Sequence, residues 1–245
     1  MIHKTKGIVL RTVKYGETSV IVSMYTELFG IQSYIVNGVR ISSKKGAGKA
    51  NLFQPAAILD LVVYHNELKN IQRLKEFRWG YIYKNLFFDV IKNSVALYMI
   101  ELLQKTLKQP EPNPDLFHFI EDAFLHLDTS DETVVANYPL FFALQLSGFY
   151  GFRFSDTYTA KNHFLDLQEG EFVHEQPSHS YFIEADHSFV TSQILKVMQP
   201  HELSQVRLNK ETRRVLLRAY ELFYALHIQD FGKMKTLPVL QEVLG

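Results

Sequence analysis

The segment GVRISSKKGAGKAN, residues 38–51, brings four cations and three glycines together in a chain of 245 residues. Such a segment could cradle a nucleotide phosphate, grip a nucleic-acid backbone, or form a solvated turn. A Walker-type loop requires G-x-x-x-x-G-K-[ST], because its glycines let backbone amides face the phosphates and its last hydroxyl binds magnesium. Ser43 stands in place of the first glycine and Ala50 in place of the hydroxyl residue. The spacing therefore argues against nucleotide hydrolysis and leaves the other two interpretations open.

Further cations and tyrosines near this loop favour nucleic-acid binding. A basic groove gains affinity by releasing counterions from phosphates, and exposed rings allow bases to stack. Tyr15, Tyr25 and Tyr34 offer such rings, although single lysines are often solvated and strand tyrosines often pack in a core. The predicted nucleic-acid-binding residues of this region are Lys4, Lys6, Arg11, Lys14, Tyr34, Arg40, Lys44, Lys45 and Lys49.

A second basic group lies near the C-terminus, within a predicted helix that Asn209 would cap. It comprises Arg207, Lys210, Arg213, Arg214 and Arg218. Lys210, Arg213 and Arg214 would lie near one helix face by their spacing. They could extend a nucleic-acid path or receive an acidic peptide. Pairing with acids of neighbouring helices is the alternative.

Histidines and aspartates in residues 150–190 could be imagined as a metal site. They are His163, His174, His179, His187, Asp166 and Asp186. Their spacing matches no established short motif, so surface or hydrogen-bonded histidines are the simpler interpretation. The sequence predicts no metal, no cofactor and no catalytic residue.

Charge is divided unevenly along a chain whose formal net charge is zero. Residues 1–80 contain 12 Lys and Arg against 5 Asp and Glu, whereas residues 81–245 contain 14 against 21. This asymmetry favours a nucleic-acid-facing part joined to a part with another partner. The absence of cysteine excludes disulfides and cysteine-ligated zinc. Without a signal-peptide pattern or a long apolar run, we expect a cytoplasmic protein.

The first eighty residues are predicted to form four or five strands, because β-branched and aromatic residues recur between turn residues. The candidates are GIVLRTV, SVIVSMYT, GIQSYIVNGVR, AILDLVVYH and LKNIQRLKEF. Five short strands suit a small closed barrel, since closure removes exposed edges.

From Trp79 onward the apolar spacing becomes helical. Further helices are predicted over LFHFIEDAFLHLD, with Asp115 near the cap, over TVVANYPLFFALQLSGF and from Asn209 onward. FLDLQEGEFV and YFIEADHSFV, within 150–190, are predicted to be extended. The predicted fold is α+β with two domains: a barrel over 1–80, and a helical domain over 81–245 with a β-like insertion at about 150–190.

These residues carry a resemblance to a known family. The stretch KTKGIVLRTVKYGETSVIVSMYTELFGIQSYIVNGVR, the Lys/Gly loop and LFQPAAILDLVVYH resemble the N-terminal barrel of the bacterial RecO family of DNA repair proteins. RRVLLRAYELFYALHIQDFGKMKTLPVL is similar to the last helices of that family. Many relatives carry a four-cysteine zinc site in the second domain, which this chain cannot form.

The resemblance implies an OB-fold barrel and a helical domain without enzymatic turnover. It implies binding of single- and double-stranded DNA, annealing of complementary strands, and help in loading the RecA recombinase onto coated strands. The implied partners are RecR, the C-terminal tail of single-strand-binding protein and, indirectly, RecA, at the nucleoid. An alternative is an adaptor whose acidic helical domain docks repair partners, with DNA binding secondary. An enzyme acting on nucleic acid would need a metal-binding motif, which the sequence does not display.

Overall fold

The computed structural model describes residues 1–39 and 51–244. Its N-terminal part is a closed barrel in the strand order β1-β2-β3-β5-β4. The strands are β1 (Ile2–Tyr15), β2 (Ser19–Thr26), β3 (Gly30–Val36), β4 (Ile58–Tyr64) and β5 (Ile71–Trp79). β3 and β5 pair in parallel, and the other neighbours are antiparallel. The predicted five-stranded barrel is confirmed.

Alternation along the strands fills the barrel with apolar side chains. In β2, Val20, Val22 and Met24 are buried while Ile21 and Ser23 between them are half-buried. Successive strand residues point to opposite faces, so this pattern separates a barrel interior from an outer surface. The main interior side chains of the other strands are Val9, Tyr34, Val36, Leu59, Leu61 and Val63.

A register shift in β1, between Val9 and Arg11, leaves Leu10 as an extra residue. The side-chain amide of Gln104 donates a hydrogen bond to the Leu10 carbonyl. A bulge leaves backbone groups without a partner on the neighbouring strand. The Gln104 amide therefore supplies the hydrogen bond that β2 does not provide to the Leu10 carbonyl.

The segment after β5 corrects the prediction of a helix from Trp79. Trp79 is the last residue of β5, and helix α1 (Val90–Thr106) begins eleven residues later. The Asp89 carboxylate accepts hydrogen bonds from the amides of Ile91 and Lys92, which fixes the helix start there. Before the helix, the backbone amides of Asn85 and Leu86 donate hydrogen bonds to the Asp128 carboxylate. These side-chain acceptors determine the boundary, and apolar spacing alone did not reveal them.

Two helices follow α1. Helix α2 (Pro114–Thr129) is capped by Asn113, whose side chain accepts from the Leu116 amide, so Asp115 belongs to the first turn. Helix α3 (Glu132–Ser147) is capped by Asp131 and ends at Gly148 as predicted. Buried Pro139 lies within α3 and does not end it.

Residues 150–190 contain a small sheet in the order β7-β6-β8. Its strands are β6 (Phe164–Asp166), β7 (Glu171–Val173) and β8 (Phe182–Ile183). The predicted extended conformation of YFIEADHSFV holds only for β8, because helix α4 (Ala185–Leu195) begins two residues later. The Ser188 hydroxyl, in α4, donates to the Ile183 carbonyl and accepts from the Leu165 amide. The start of the helix thus completes the hydrogen bonding of the sheet.

The C-terminal helices are α5 (Lys210–His227) and α6 (Thr236–Val243). The predicted cap is confirmed, since Asn209 accepts a hydrogen bond from the Thr212 amide. The carboxylate of Glu101, from α1, accepts from the amides of Lys235 and Thr236 at the start of α6. No helix in the described part of the chain is long and apolar enough to span a membrane.

The described chain forms two compact units. The first contains Met1–Lys84 and Leu103–Leu125, and the second contains Asn85–Leu102 and the described residues from His126 onward. The barrel unit therefore includes residues 103–125, which the predicted division into 1–80 and 81–245 assigned to the helical domain. That division into two domains stays a prediction.

Candidate nucleic-acid interface

The outward side chains of four barrel strands form one continuous surface, which we call the open face. Strand register aligns Arg11, Ser23, Ser33 and Ile71 in one cross-strand row. The next row aligns Val13, Ile21, Ile35 and Arg73. Tyr15 lies two residues beyond Val13 on the same side of β1 and opposite Ser19. The open face comprises Arg11, Val13, Tyr15, Ser19, Ile21, Ser23, Ser33, Ile35, Ile71 and Arg73.

This surface combines available cations with partly exposed apolar groups. Arg11 and Arg73 are exposed, and within the described residues neither has a carboxylate oxygen within 4.0 Å. Tyr15 is 53% exposed, and Val13 and Ile71 are 44% and 43% exposed. Guanidinium groups bind phosphates, while aromatic and apolar side chains contact base faces. The open face can therefore bind both parts of a nucleotide strand.

Arg73 is a candidate that the sequence analysis missed. Its position in β5 is 62 residues from Arg11, and only the parallel pairing of β3 with β5 brings them onto one surface. The available signal was the alternation of Ile71, Arg73 and buried Gln72, which marks an outward arginine on a strand.

Another side of the barrel carries both cations and acids, and two of its three cations form ion pairs, so we call it the paired side. It comprises the outward residues Lys4, Lys6, Asp60, Val62, Glu76 and Arg78. Lys6 Nζ lies 2.7 Å from Glu121 Oε1, and Arg78 lies 3.1 Å from Asp60. The hydrogen bond to Glu121 raises the pKa of Lys6 above its usual value. A groove of about 880 Å³ on this side is lined by Glu27, Asp60 and Glu76 besides the cations.

Residues 103–125 cover part of the barrel next to the paired side. The hydroxyl of Tyr25 donates to the Asn113 carbonyl, and its ring lies 6.0 Å from that of Phe117. Gly30 has a φ of 60°, and a Cβ there would collide with the Glu111 carbonyl. Glycine is required at this close approach, because the conformation and the space both exclude a side chain.

The predicted cations and rings are thus separated by the structure. Arg11 is on the open face, Lys4 and Lys6 are on the paired side, and Lys14 is exposed on the opposite side of β1 from Arg11. The loop residues Arg40, Lys44, Lys45 and Lys49 lie outside the described residues, so their role stays a prediction.

The structure contradicts base stacking by Tyr34. Its side chain is 0% exposed inside the barrel, and burial raises the pKa of its hydroxyl. Tyr25 is also buried, at 1% exposure. The alternation of side chains along a strand shows which tyrosine is accessible only after the strand register is known. Of these three tyrosines, Tyr15 is the one on the open face.

Comparison with known proteins identifies the family. The family model for the N-terminal part of recombination protein O matches residues 1–81, and the model for its C-terminal part matches residues 88–237. The chain belongs to the RecO family. It is similar to the DNA repair protein RecO of Bacteroides fragilis, with 33% identity over 99% of both chains. It is 32% identical to the RecO of Christiangramia forsetii over the full length of both chains.

The four-cysteine zinc site that the resemblance implies for many RecO relatives does not fit this chain, which has no cysteine. Among the described residues, no group of three or more histidines, aspartates and glutamates is placed to bind a metal ion. His179 Nε2 lies 3.2 Å from Asp166, and His163 and His174 each direct Nδ1 at the Lys161 carbonyl. These RecO histidines therefore have local polar partners.

The second basic group of this RecO chain, on α5 and just before it, divides into two sets. Arg207, Lys210 and Arg218 are exposed, and Arg214 Nη1 lies 3.8 Å from Glu211. Arg213 instead donates to the carbonyls of Leu208 and Leu244, and burial lowers its pKa. Arg213 therefore hydrogen-bonds to the ends of neighbouring segments, and its DNA binding stays a prediction.

Proposed function

We propose that this RecO-family protein is a non-enzymatic DNA-binding recombination mediator whose barrel binds DNA through the open face. The observation that carries the proposal is the alignment of Arg11 and Arg73 with Tyr15, Val13 and Ile21 on one outer surface. OB-fold proteins bind single strands on the face of their second and third strands. In this chain β2 and β3 form the centre of that surface.

The proposed activity extends to annealing of complementary strands. Arginines that neutralise phosphates reduce repulsion between two strands, while apolar groups that contact base faces leave the base edges free for pairing. The same protein would bind single- and double-stranded DNA at the nucleoid and help load RecA onto strands coated by single-strand-binding protein. RecR and single-strand-binding protein are the proposed direct partners.

Salt dependence of binding tests the proposal. A fluorescent single-stranded oligonucleotide is titrated with the full chain at several salt concentrations, and annealing is followed with a donor and an acceptor dye on complementary strands. We expect the logarithm of the affinity to fall with the logarithm of the salt concentration, by about 0.7 for each phosphate contacted. No binding, or binding that does not respond to salt, would contradict the proposal.

The loop that lies outside the described residues has its own test. Replacing Lys44, Lys45 and Lys49 with glutamate should lower both the affinity for DNA and the salt slope, because three phosphate ligands become repulsive. Unchanged binding would remove the loop from the proposed site and leave the open face as the principal contact.

A second candidate function concerns the exposed cations on α5 and just before it. Arg207, Lys210 and Arg218 are exposed cations in a part of the chain where acids outnumber bases. We infer that they form a docking site for the acidic tail of single-strand-binding protein, which is the adaptor alternative. Replacing the three with glutamate should abolish binding of a tail peptide and leave DNA binding by the barrel intact. Loss of DNA binding with retained peptide binding would assign them to the DNA path instead.

A further inference from the structure

The turn between β4 and β5, residues 65–70, presents an unusual apolar tip. Leu68 is 94% exposed, which is the highest value among the large apolar side chains of the described residues. Scattered surface leucines need no explanation, but a leucine at the tip of an ordered turn beside a proposed binding surface can contact a ligand.

A buried amide holds this turn in one conformation. Gln72 is 2% exposed, and its Nε2 donates to the carbonyls of Asn66 and Lys69 at 2.9 and 2.6 Å. Its Oε1 accepts from the Asn66 amide at 3.0 Å. The Asn66 side chain in turn accepts from the Leu68 amide at 3.0 Å. Because the turn is already ordered, presenting Leu68 to a ligand loses little conformational entropy.

The turn lies at the edge of the open face. It leads directly into Ile71 and Arg73, which pair with Ser33 and Ile35. A groove of about 730 Å³ lies beside it, lined by Ser33, Phe29 and Lys69, and the Phe29 ring of the turn between β2 and β3 stacks on the His65 ring of this turn. Leu68 lies between Glu67 and Lys69 in the turn, and Arg73 follows on β5. The two cations, Lys69 and Arg73, could hold phosphates of a strand passing over the turn.

We propose that Leu68 is a wedge that inserts between neighbouring bases of bound single-stranded DNA. This inference deepens the proposed function and rests on DNA binding by the open face. Apolar side chains inserted between bases replace base stacking by contact with the aliphatic group. The gain from burying one leucine is comparable to the loss from unstacking one base step, so insertion is favoured where stacking is already incomplete. A wedge touches base faces and leaves the pairing edges free.

The test uses the full chain and a single-stranded oligonucleotide of about 16 nucleotides, the upper site size of one OB fold, with one internal 2-aminopurine between adenines. Stacking quenches 2-aminopurine, so unstacking brightens it. With the probe moved along the strand, we expect the wild-type protein to brighten it at one or two positions. Leu68→Ala should remove most of that signal and weaken binding about threefold to tenfold, as expected for one lost apolar contact.

Met198→Ala is the matched control, because Met198 is 79% exposed and lies in the other compact unit. It should leave both the brightening and the affinity unchanged. Leu68→Trp should bind DNA with quenching of the new tryptophan. Equal brightening by wild type and Leu68→Ala, with DNA still bound, would overturn the wedge and leave the proposed function intact. Failure of the wild-type protein to bind the oligonucleotide would overturn the proposed function itself.

Discussion

Two sides of one barrel carry cations and differ in what those cations face. On the paired side, Lys6 and Arg78 lie within 3.1 Å of carboxylates, and acids line the groove between them. On the open face, Arg11 and Arg73 stand among serines and apolar side chains. A neutralised cation has less to gain from a phosphate, so the count of cations in a segment does not locate a binding surface.

Charge reversal on the open face gives the largest expected effect. The double variant Arg11→Glu, Arg73→Glu should lower affinity for single-stranded DNA about a hundredfold at low salt, or about 2.7 kcal/mol, and reduce the salt slope by about 1.4. Lys4→Glu, Arg78→Glu changes the net charge equally on the paired side and should lower affinity less than about threefold. Equal losses in the two double variants would show that overall charge decides binding, and the comparison would fail.

Removal of Lys6 should affect stability more than DNA binding. Glu121 is 9% exposed, and Lys6→Met leaves its carboxylate without the 2.7 Å partner. We expect a loss of about 1 to 2 kcal/mol in the free energy of unfolding, measured with urea, because Lys6 itself is partly solvated. The double variant Lys6→Met, Glu121→Gln should recover much of this loss. A large fall in DNA affinity with unchanged stability would move Lys6 to the DNA site.

Alkaline pH should weaken the barrel where residues 103–125 cover it. Burial raises the pKa of Tyr25 to about 12 from 10.0, so the folded state retains a proton that the unfolded state loses. This contribution to stability is complete below pH 10 and is lost as the pH rises from about 10 to about 12. Between pH 9 and 11 the wild type should lose about 1.4 kcal/mol more than Tyr25→Phe. Lys6 titrates in both proteins, so its effect cancels. Parallel unfolding curves for the two proteins would contradict the assignment.

The tyrosines give the smallest expected difference. Tyr15→Ala should weaken single-strand binding about fivefold, at the low end of base-stacking contributions, because the ring is only partly enclosed. Tyr34→Phe should leave the DNA affinity unchanged, since its ring fills the barrel interior. Fluorescence anisotropy with one oligonucleotide measures both. A stronger effect from Tyr34→Phe than from Tyr15→Ala would mean that the barrel opens to bind DNA.

The sequence by itself predicted the features that depend on local pattern. Alternation of apolar and polar residues fixes strands, and this predicted the barrel. Asn209 marks a helix start because its short side chain can accept a hydrogen bond from a first-turn amide. Gly148 follows the last residue of α3, with an ordinary right-handed φ of −61°. The order of short motifs, from the first strand to the last helices, was sufficient to reveal the RecO resemblance.

Tertiary structure decided which of these residues share a surface. Strand pairing places Arg11 and Arg73 on one surface, and a helix contributes the Glu121 carboxylate that forms an ion pair with Lys6. Enclosure hides Tyr34 while leaving Tyr15 exposed, although both are tyrosines on strands. The start of α1 at Val90 likewise depends on Asp89 and on the distant Asp128. Strand register, the covering of one segment by another and long-range hydrogen bonds all bring together residues that are far apart in the chain. The local sequence pattern therefore cannot predict these contacts.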